Sequence, residues 1–527
     1  MGIIQLTRKA MGFVAWDGGE DIEVATKDLR GALNGDEVEV EITGVALPRG
    51  PRGIQTLQAP MRPRGEVVRV IARAREEFVC TLHEQDGMWL GLPADQRFYR
   101  PIRLVKAAPS QTEEGARAVV KLLSFTGAKD PEGSIVEVLG RAGEHRVEQN
   151  VIVLEHGFAT SFPPEVEAEA HDLARRHAQI IADEAKHRAD YRSVTTFTID
   201  PIDAKDFDDA ISVQTLPDGT YEVGVHIADA SFFVAEGTAL DEEAQKRGTS
   251  VYLVDATIPM LPHELSENIC SLKADEDRLA FSAVFHIDQN ARILERRFER
   301  SVIRSNKRFT YEEAQQILND GRGEFIEELT VLRDIARVMR AQREEKGAID
   351  FGDNEVRFTL DEAGVPTAVV RKQRIETNLL IEEWMLLANR EVASHVAQLA
   401  EKVPEKNLIF LYRIHDEPKV DRIEELATFV RALGYEFGRV AKGKTKKYTA
   451  RDIRKLLKDI EGTPEEALIR TATLRSMAKA IYTTKNIGHF GLAFEYYTHF
   501  TSPIRRYPDI LVHRILASHI DGKPITR

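Results

Sequence analysis

Hydrophobic residues along the first part of the chain come in short alternating runs broken by Gly, Asp and Asn, as in GFVAWDGGEDIEVATKDLRGALNGDEVEVEI. This pattern predicts a meander of strands. Its turns fall at Asp17-Gly18-Gly19 and Asn34-Gly35-Asp36. A connector rich in Pro and Arg follows, ALPRGPRG and then APMRPRG. A second strand set then begins at GEVVRVIARAREEFVCTL and runs through GMWLGLPAD. Two small β-barrels in tandem account for both sets, residues 1–60 and 61–141. The pattern changes at residues 142–190, where PPEVEAEAHDLARRHAQIIADEAKHR opens on Pro163-Pro164 and carries apolar residues at helical spacing. This predicts a helical link. From 191 to 527, strand-like runs (YEVGVHIAD, FSAVFHID, VRFTLD) mix with long helical patterns (IEELTVLRDIARVMRAQREEK, NLLIEEWMLLANREVASHVAQLA), as expected for one larger α+β domain.

At 527 residues the chain is too long for a single core, which fits this division. Hydrophobic residues make up 43% and charged residues 30%, a globular balance. The only cysteines are Cys80 and Cys270, so neither a disulfide framework nor a Cys-rich zinc site is supported. The opening MGIIQLTRKA has no apolar signal core, and no apolar run approaches the roughly 20 residues a membrane helix needs. The reading is therefore a soluble cytoplasmic protein. The net charge of -13 argues mildly against nucleic acid. Basic clusters nonetheless occur at Arg62, Arg64, Arg69, Arg73 and Arg75, between Arg292 and Arg308, and at Lys442, Lys444, Lys446 and Lys447. Each of these, taken alone, reads as a solvated surface.

The stretch TIDPIDAKDFDDA holds Asp200, Asp203, Asp206, Asp208 and Asp209. Crowded carboxylates repel one another, and partial burial costs several kcal/mol for each uncompensated ion. Divalent cations remove that cost, and Mg²⁺ takes hard oxygen ligands while keeping positions for water and phosphate. A Ca²⁺-binding loop counted from Asp200 would need Gly at its sixth position and Glu at its twelfth, where Lys205 and Ile211 stand. On spacing alone, metal ligation and an acidic surface turn both remain.

DPIDAKDFDDAISV resembles the catalytic signature of the RNase II/RNase R family, and GHFGLAFEYYTHFTSPIRRYPDILVHRIL resembles its second signature. VHIADAS, RGTSVYLVDATIPMLPHELSENICSL, LIEEWMLLAN and FLYRIHDEPK are also similar to family segments, in family order. The resemblance spans essentially the whole chain and lies closer to RNase R than to RNase II. It implies two cold-shock-type OB barrels followed by an α+β RNB catalytic domain. It also implies processive, Mg²⁺-dependent hydrolysis of single-stranded RNA from the 3′ end to nucleoside 5′-monophosphates by a two-metal mechanism, with Mn²⁺ as an alternative ion.

Carried over by residue, the resemblance makes Asp200, Asp206, Asp208 and Asp209 the metal ligands, Asp208 and Asp209 also serving the chemistry. Asp203 is left to turn or supporting hydrogen bonds. Arg505 matches the arginine gripping the scissile phosphate, with Arg506 a lesser RNA contact. An Arg pair before Tyr507 and Asp509 is equally readable as a structural salt bridge. Tyr252 matches a stacking tyrosine and Phe358 a clamping phenylalanine, although a lone strand aromatic is more often core. His226, His489, His499 and His513 lack zinc spacing and read as packing or supporting residues. The resemblance further implies catalytic helices with one more glutamate, an S1 barrel and a Lys-rich tail. These have no counterpart here, nor does an N-terminal helix-turn-helix, so a fragment or shortened monomeric member is expected, with weakened RNA binding. Two rivals remain: a nonhydrolytic RNA-binding protein of RNB fold, and another metal-dependent phosphoesterase.

Overall fold

The computed structural model describes residues 1–16, 19–46, 62–105, 113–127, 129–352, 356–361, 365–371, 374–402, 408–438, 448–523 and 525. Asp17 and Gly18 of the first turn, most of the Pro/Arg connector and the cluster Lys442, Lys444, Lys446 and Lys447 lie outside the described residues. The chain divides into two compact units, one built from residues 1–161 and one from 162–361 and 366–527.

The first unit holds two closed five-stranded barrels. Strands β1 (Gly2–Leu6), β2 (Gly12–Val14), β3 (Ile22–Val24), β4 (Glu37–Ala46) and β5 (Arg62–Ala72) close in the order β1-β2-β3-β5-β4 around Ile4, Val24, Val38 and Val67. The sequence reading placed 62–72 at the start of the second barrel, but β5 completes the first. It pairs antiparallel along β4 and parallel with β3. Gly65 permits this closure: a Cβ there would lie 2.5 Å from Val40 and 2.8 Å from Ile22. The second barrel joins β6 (Glu77–Gln85), β7 (Met88–Pro93), β8 (Ile102–Leu104), β9 (Ala116–Ser124) and β10 (Glu132–Arg141) around Phe78, Leu82, Ile102 and Val120.

The segment 142–190, expected as one helical link, is divided between the units. Helix α1 (His145–Glu155) packs on the second barrel through the Arg117–Glu148 ion pair at 3.0 Å. Helix α2 (Pro164–Glu184) belongs to the second unit, where the Leu240 N–H donates to Glu169 at 3.0 Å. Each helix buries its apolar stripe against its own neighbour, as an amphipathic helix must.

The second unit is α+β. Its strands are β11 (Ala189–Asp190), β12 (Thr196–Asp200), β13 (Asp209–Thr215), β14 (Tyr221–Ala228), the ribbon β15 (Val251–Tyr252) with β16 (Thr257–Ile258), then β17 (Asp277–Ile287), β18 (Ile293–Arg304) and β19 (Lys307–Thr310). The hairpin β20 (Val356–Leu360) with β21 (Pro366–Arg371), and the ribbon β22 (Tyr412–Ile414) with β23 (Ile481–Thr483), follow. Its helices continue the numbering: α3 (Ala230–Phe233), α4 (Ala239–Arg247), α5 (Tyr311–Asp320), α6 (Ile326–Lys346), α7 (Glu376–Lys402), α8 (Val420–Ala432), α9 (Ala450–Asp459), α10 (Glu466–Ser476) and α11 (Tyr507–Ile520). No helix among the described residues is long and apolar enough to cross a membrane.

One seven-stranded sheet, β11-β18-β17-β14-β13-β12-β19, organises this unit. Period-two alternation sends Ile211, Val225, Ile227, Phe281 and Phe285 to a core shared with α5, α6 and α7. The opposite face sends Ala210, Ala228, Ala280 and Val284 to a core with α2 and α4. Both faces are covered, which is why the central strands read as near-continuous apolar runs.

Four polar residues interrupt the second face and satisfy one another. His226 lies 2.8 Å from Ser212 through Nε2 and 2.6 Å from Ser282 through Nδ1, and Ser282 lies 2.6 Å from Ser301. Burial pushes His226 down to about 3, so the ring is neutral and the chain of hydrogen bonds crosses four strands without a charge. Gly224 leaves room for it, since a Cβ there would fall 2.5 Å from His226 Nε2 and 2.6 Å from Ser212 Oγ. Gly224→Ala must therefore push the imidazole aside. We expect a loss of about 1–3 kcal/mol in chemical denaturation, and unchanged stability would show that the chain of hydrogen bonds is easily displaced.

Candidate active site

The aspartates owe their proximity to one strand pairing. Thr196 pairs with Ser212 and Phe197 with Ile211, antiparallel, so the end of β12 at Asp200 lies beside the start of β13 at Asp209. Residues 201–208 bridge the two ends. This loop is pinned from below: Phe207 N–H donates to Ser271 Oγ at 3.0 Å, Ser271 Oγ donates to the Lys205 carbonyl at 2.8 Å, and Leu272 N–H donates to the Phe207 carbonyl at 3.0 Å. From the β19 edge, Arg308 donates to the carbonyls of Pro201 and Ile202 at 2.5 and 3.0 Å, with its guanidinium 5.6 Å from the Phe207 ring centre.

Asp200 and Asp208 are buried, and each keeps one carboxylate oxygen with no hydrogen-bond partner. Asp208 Oδ1 accepts from the Ile504 N–H at 2.9 Å, while Oδ2 lies 3.4 Å from Arg505 Nε. Burial is the largest force on all four acids. It raises Asp206 and Asp208, and together with neighbouring aspartate charge it pushes Asp200 and Asp209 up to about 7. Orphaned buried oxygens on hard ligands, in a set that resists ionisation, match what a divalent cation supplies. Among the described residues no three His, Cys, Asp or Glu side chains stand together as a ready-made set that could hold a metal ion.

A second loop supplies a positive side chain, Arg505. Ser502 N–H and the Arg506 guanidinium both donate to Asp509 Oδ1 at 2.8 Å, and Asp509 is wholly buried in the first turn of α11. This hold leaves Arg505 facing Asp208, steadied by a 2.8 Å bond to Ser502 Oγ. The same loop carries the segment 248–252: Ser250 N–H donates to the Arg505 carbonyl at 3.0 Å and Tyr507 N–H to the Gly248 carbonyl at 3.0 Å. Tyr252, 54% exposed, donates its hydroxyl to Asp206 at 3.3 Å.

The RNB domain family matches residues 188–522, with the Cold shock domain over 92–163 and the Ribonuclease B OB domain over 2–53. Ribonuclease R of Thermotoga maritima is 38% identical over 538 residues, covering 99% of this chain and 71% of that protein. Ribonuclease R of Aquifex aeolicus is 36% identical over 521 residues, 98% of this chain and 70% of its own length. The solved structure of Mycoplasma genitalium RNase R in complex with ribose methylated single-stranded RNA superposes with a TM-score of 0.84 at 25% identity, covering 98% of this chain and 79% of that one. The chain belongs to the RNB family. Its Ribonuclease R relatives indicate a hydrolytic 3′–5′ exoribonuclease, and the nucleases of the family depend on a metal ion.

Within this RNB domain, the residues expected from sequence do not all stand alike. Asp200, Asp206, Asp208, Asp209, Arg505 and Tyr252 are brought together on the two loops just described. Phe358 is not brought to them: it is 38% exposed on β20, on the strand face opposite its neighbour Arg357, which pairs with Asp203 of the aspartate loop at 3.2 Å. Arg506 is drawn away from the opening by Asp509, the salt-bridge alternative of the Arg pair. His513 donates through Nε2 to the Phe500 carbonyl at 2.7 Å, and His489 accepts from the Leu492 N–H at 3.2 Å, both supporting contacts.

The basic clusters are largely paired. Arg69 meets Glu39 at 2.6 Å and Arg75 meets Asp95 at 3.0 Å; on β18, Arg297 meets Glu222 at 3.0 Å and Arg304 meets Asp277 at 2.7 Å. Sequence reasoning missed Arg308 and Ser271 as supports, and Tyr311, whose hydroxyl is raised by burial and then by the charges of Asp209 and Asp200. The register Asp200↔Thr310 places Tyr311 one residue past that pairing, a signal invisible without it.

Without a cation these carboxyls make stability depend on pH. Asp200 and Asp209 hold their protons to about 7, whereas unfolded aspartates release them near 3.8. Stability present below pH 4 is thus lost as the pH rises towards 7. In chelator, the melting temperature should fall between pH 5 and 8 more steeply than in Asp200→Asn/Asp209→Asn, and Mg²⁺ should restore more at pH 8 than at pH 5. Equal slopes for the two proteins would contradict the raised carboxyls.

Proposed function

We propose that this chain removes nucleotides processively from the 3′ end of single-stranded RNA, releasing nucleoside 5′-monophosphates. The observation that carries this reading is the meeting of four aspartates with Arg505 and the exposed Tyr252 on two interlocked loops. Asp200, Asp206, Asp208 and Asp209 hold two divalent cations, Mg²⁺ or alternatively Mn²⁺. Bound there, such ions supply an activated water and stabilise the leaving 3′ oxygen.

The protein's own groups do the positioning. Arg505 presents a planar donor to the scissile phosphate. Tyr252 offers a stacking face that accepts any base, while its hydroxyl orients Asp206. Phe358 clamps the terminal base from the hairpin. Stacking cannot tell ribose from deoxyribose, so selection of RNA rests on contacts to the 2′-hydroxyl. The Mycoplasma protein carries ribose-methylated single-stranded RNA, which supports the same partner here. The enzyme works as a monomer in the cytoplasm.

Asp209→Asn should abolish hydrolysis while leaving RNA affinity within about threefold, because the carboxylates serve the transition state and stacking holds the strand. Product analysis with Mg²⁺ on matched RNA and DNA oligomers, beside binding titrations, checks this. Cleavage of both oligomers would point to a general phosphoesterase, and binding without cleavage by the unaltered protein to a nonhydrolytic one. Tyr252→Ala should lengthen the final product. Tyr252→Phe keeps the stacking face and should instead lower the rate at unchanged product length. Identical end products in Tyr252→Ala would remove the stacking assignment.

A further inference from the structure

The arginines of β18 face acidic partners, as Arg296 does Glu391 and Arg300 does Asp229. The ribbon β22–β23 departs from this habit. Its register sets Arg413 across from Tyr482, with the guanidinium 4.6 Å from the ring centre. Among the described residues no carboxylate pairs with Arg413. Its backbone N–H donates to the Tyr497 carbonyl at 2.9 Å, which fixes β22 against the segment leading to His499.

The Tyr482 hydroxyl lies 2.6 Å from His499 Nδ1. Burial, then the nearby charges of Arg506, Arg413 and Arg505, hold His499 far below the usual imidazole range, so its ring is neutral. With the hydroxyl donating to Nδ1, the ring proton sits on Nε2, and no acceptor meets it among the described residues. Arg506 is already held by Asp509, whereas Arg505 is 41% exposed. Lys479 and Lys485, both exposed, lie two residues before and after β23. The Arg413 guanidinium and the ring N–H of His499 thus stand by one tyrosine ring with no carboxylate bonded to either among the described residues, the complement of an anion. The stacked guanidinium is already ordered, so little side-chain freedom remains to be lost on binding.

We infer that Arg413, Tyr482 and His499 form a phosphate-binding subsite beside Arg505, which takes a phosphate group of a nucleotide. That group belongs either to the bound strand or to the released 5′-monophosphate. The inference rests on the reading that this site acts on RNA.

The test compares the unaltered protein with Arg413→Gln and Arg413→Lys. Hydrolysis and its inhibition by adenosine 5′-monophosphate are measured in the active proteins. Single-stranded RNA binding across a salt series is measured in the Asp209→Asn background. Arg413→Gln should weaken one of the two ligands about tenfold at unchanged melting temperature. If the strand phosphate is the ligand, RNA affinity falls and its salt slope drops by about 0.7. If the product phosphate is the ligand, inhibition weakens instead. Arg413→Lys should recover most of either effect. Unchanged affinity, slope and inhibition in Arg413→Gln would overturn the subsite, as would equal losses in both variants together with a lowered melting temperature. Absence of RNA hydrolysis by the unaltered protein would strike the proposed function instead, and the binding measurements would still decide the subsite.

Discussion

Carboxylates that must be near one another, and partly out of water, dominate this molecule. Four aspartates, two at the ends of adjacent strands and two in the loop between them, repel each other and lose hydration, so burial raises all of them. The surroundings read as answers to that strain. The Ile504 N–H reaches Asp208, Tyr252 reaches Asp206, Arg505 stands against Asp208, and Arg308 tethers the loop by its carbonyls. Two buried oxygens still stay without hydrogen-bond partners. Such an arrangement matches what a divalent cation supplies, in keeping with the metal dependence of RNB-family nucleases.

Placement of cations is the complementary problem. A chain with net charge -13 cannot attract RNA by its total charge. Most of the arginines noted in its basic clusters are consumed by internal pairs, many on β18, where they tie the sheet to neighbouring strands and helices. The arginines that keep free donors therefore carry more weight than the count suggests. Arg505 and Arg506 illustrate this. They are adjacent in sequence and chemically identical, yet Asp509 captures one and leaves the other facing the carboxylates.

Much of the scaffold was legible in the chain. Alternating runs announced the two barrels, and the Asp-rich stretch and the HFTSPIRRYPD segment announced the two loops of the site. The barrel boundary was misplaced because β5 closes its barrel through a pairing with β4 across a connector, and a local pattern cannot say which partner a strand will find. The helical stretch after the barrels read as one link because periodicity reveals an apolar stripe but not what covers it.

The sequence by itself determined residue types and their local order: five clustered aspartates, an arginine pair, a strand aromatic and a family signature spanning the chain. Only the tertiary structure decided which of these meet. The register between β12 and β13 gathers the aspartates, Asp509 divides the arginine pair, and the bond between Tyr252 and Asp206 crosses 46 residues of chain. Arg308, Ser271 and Tyr311 carried no local signal because they act through contacts with residues far away in sequence. Period and composition record what each residue prefers, whereas burial, pairing and the cost of an unmatched charge depend on neighbours that folding alone supplies.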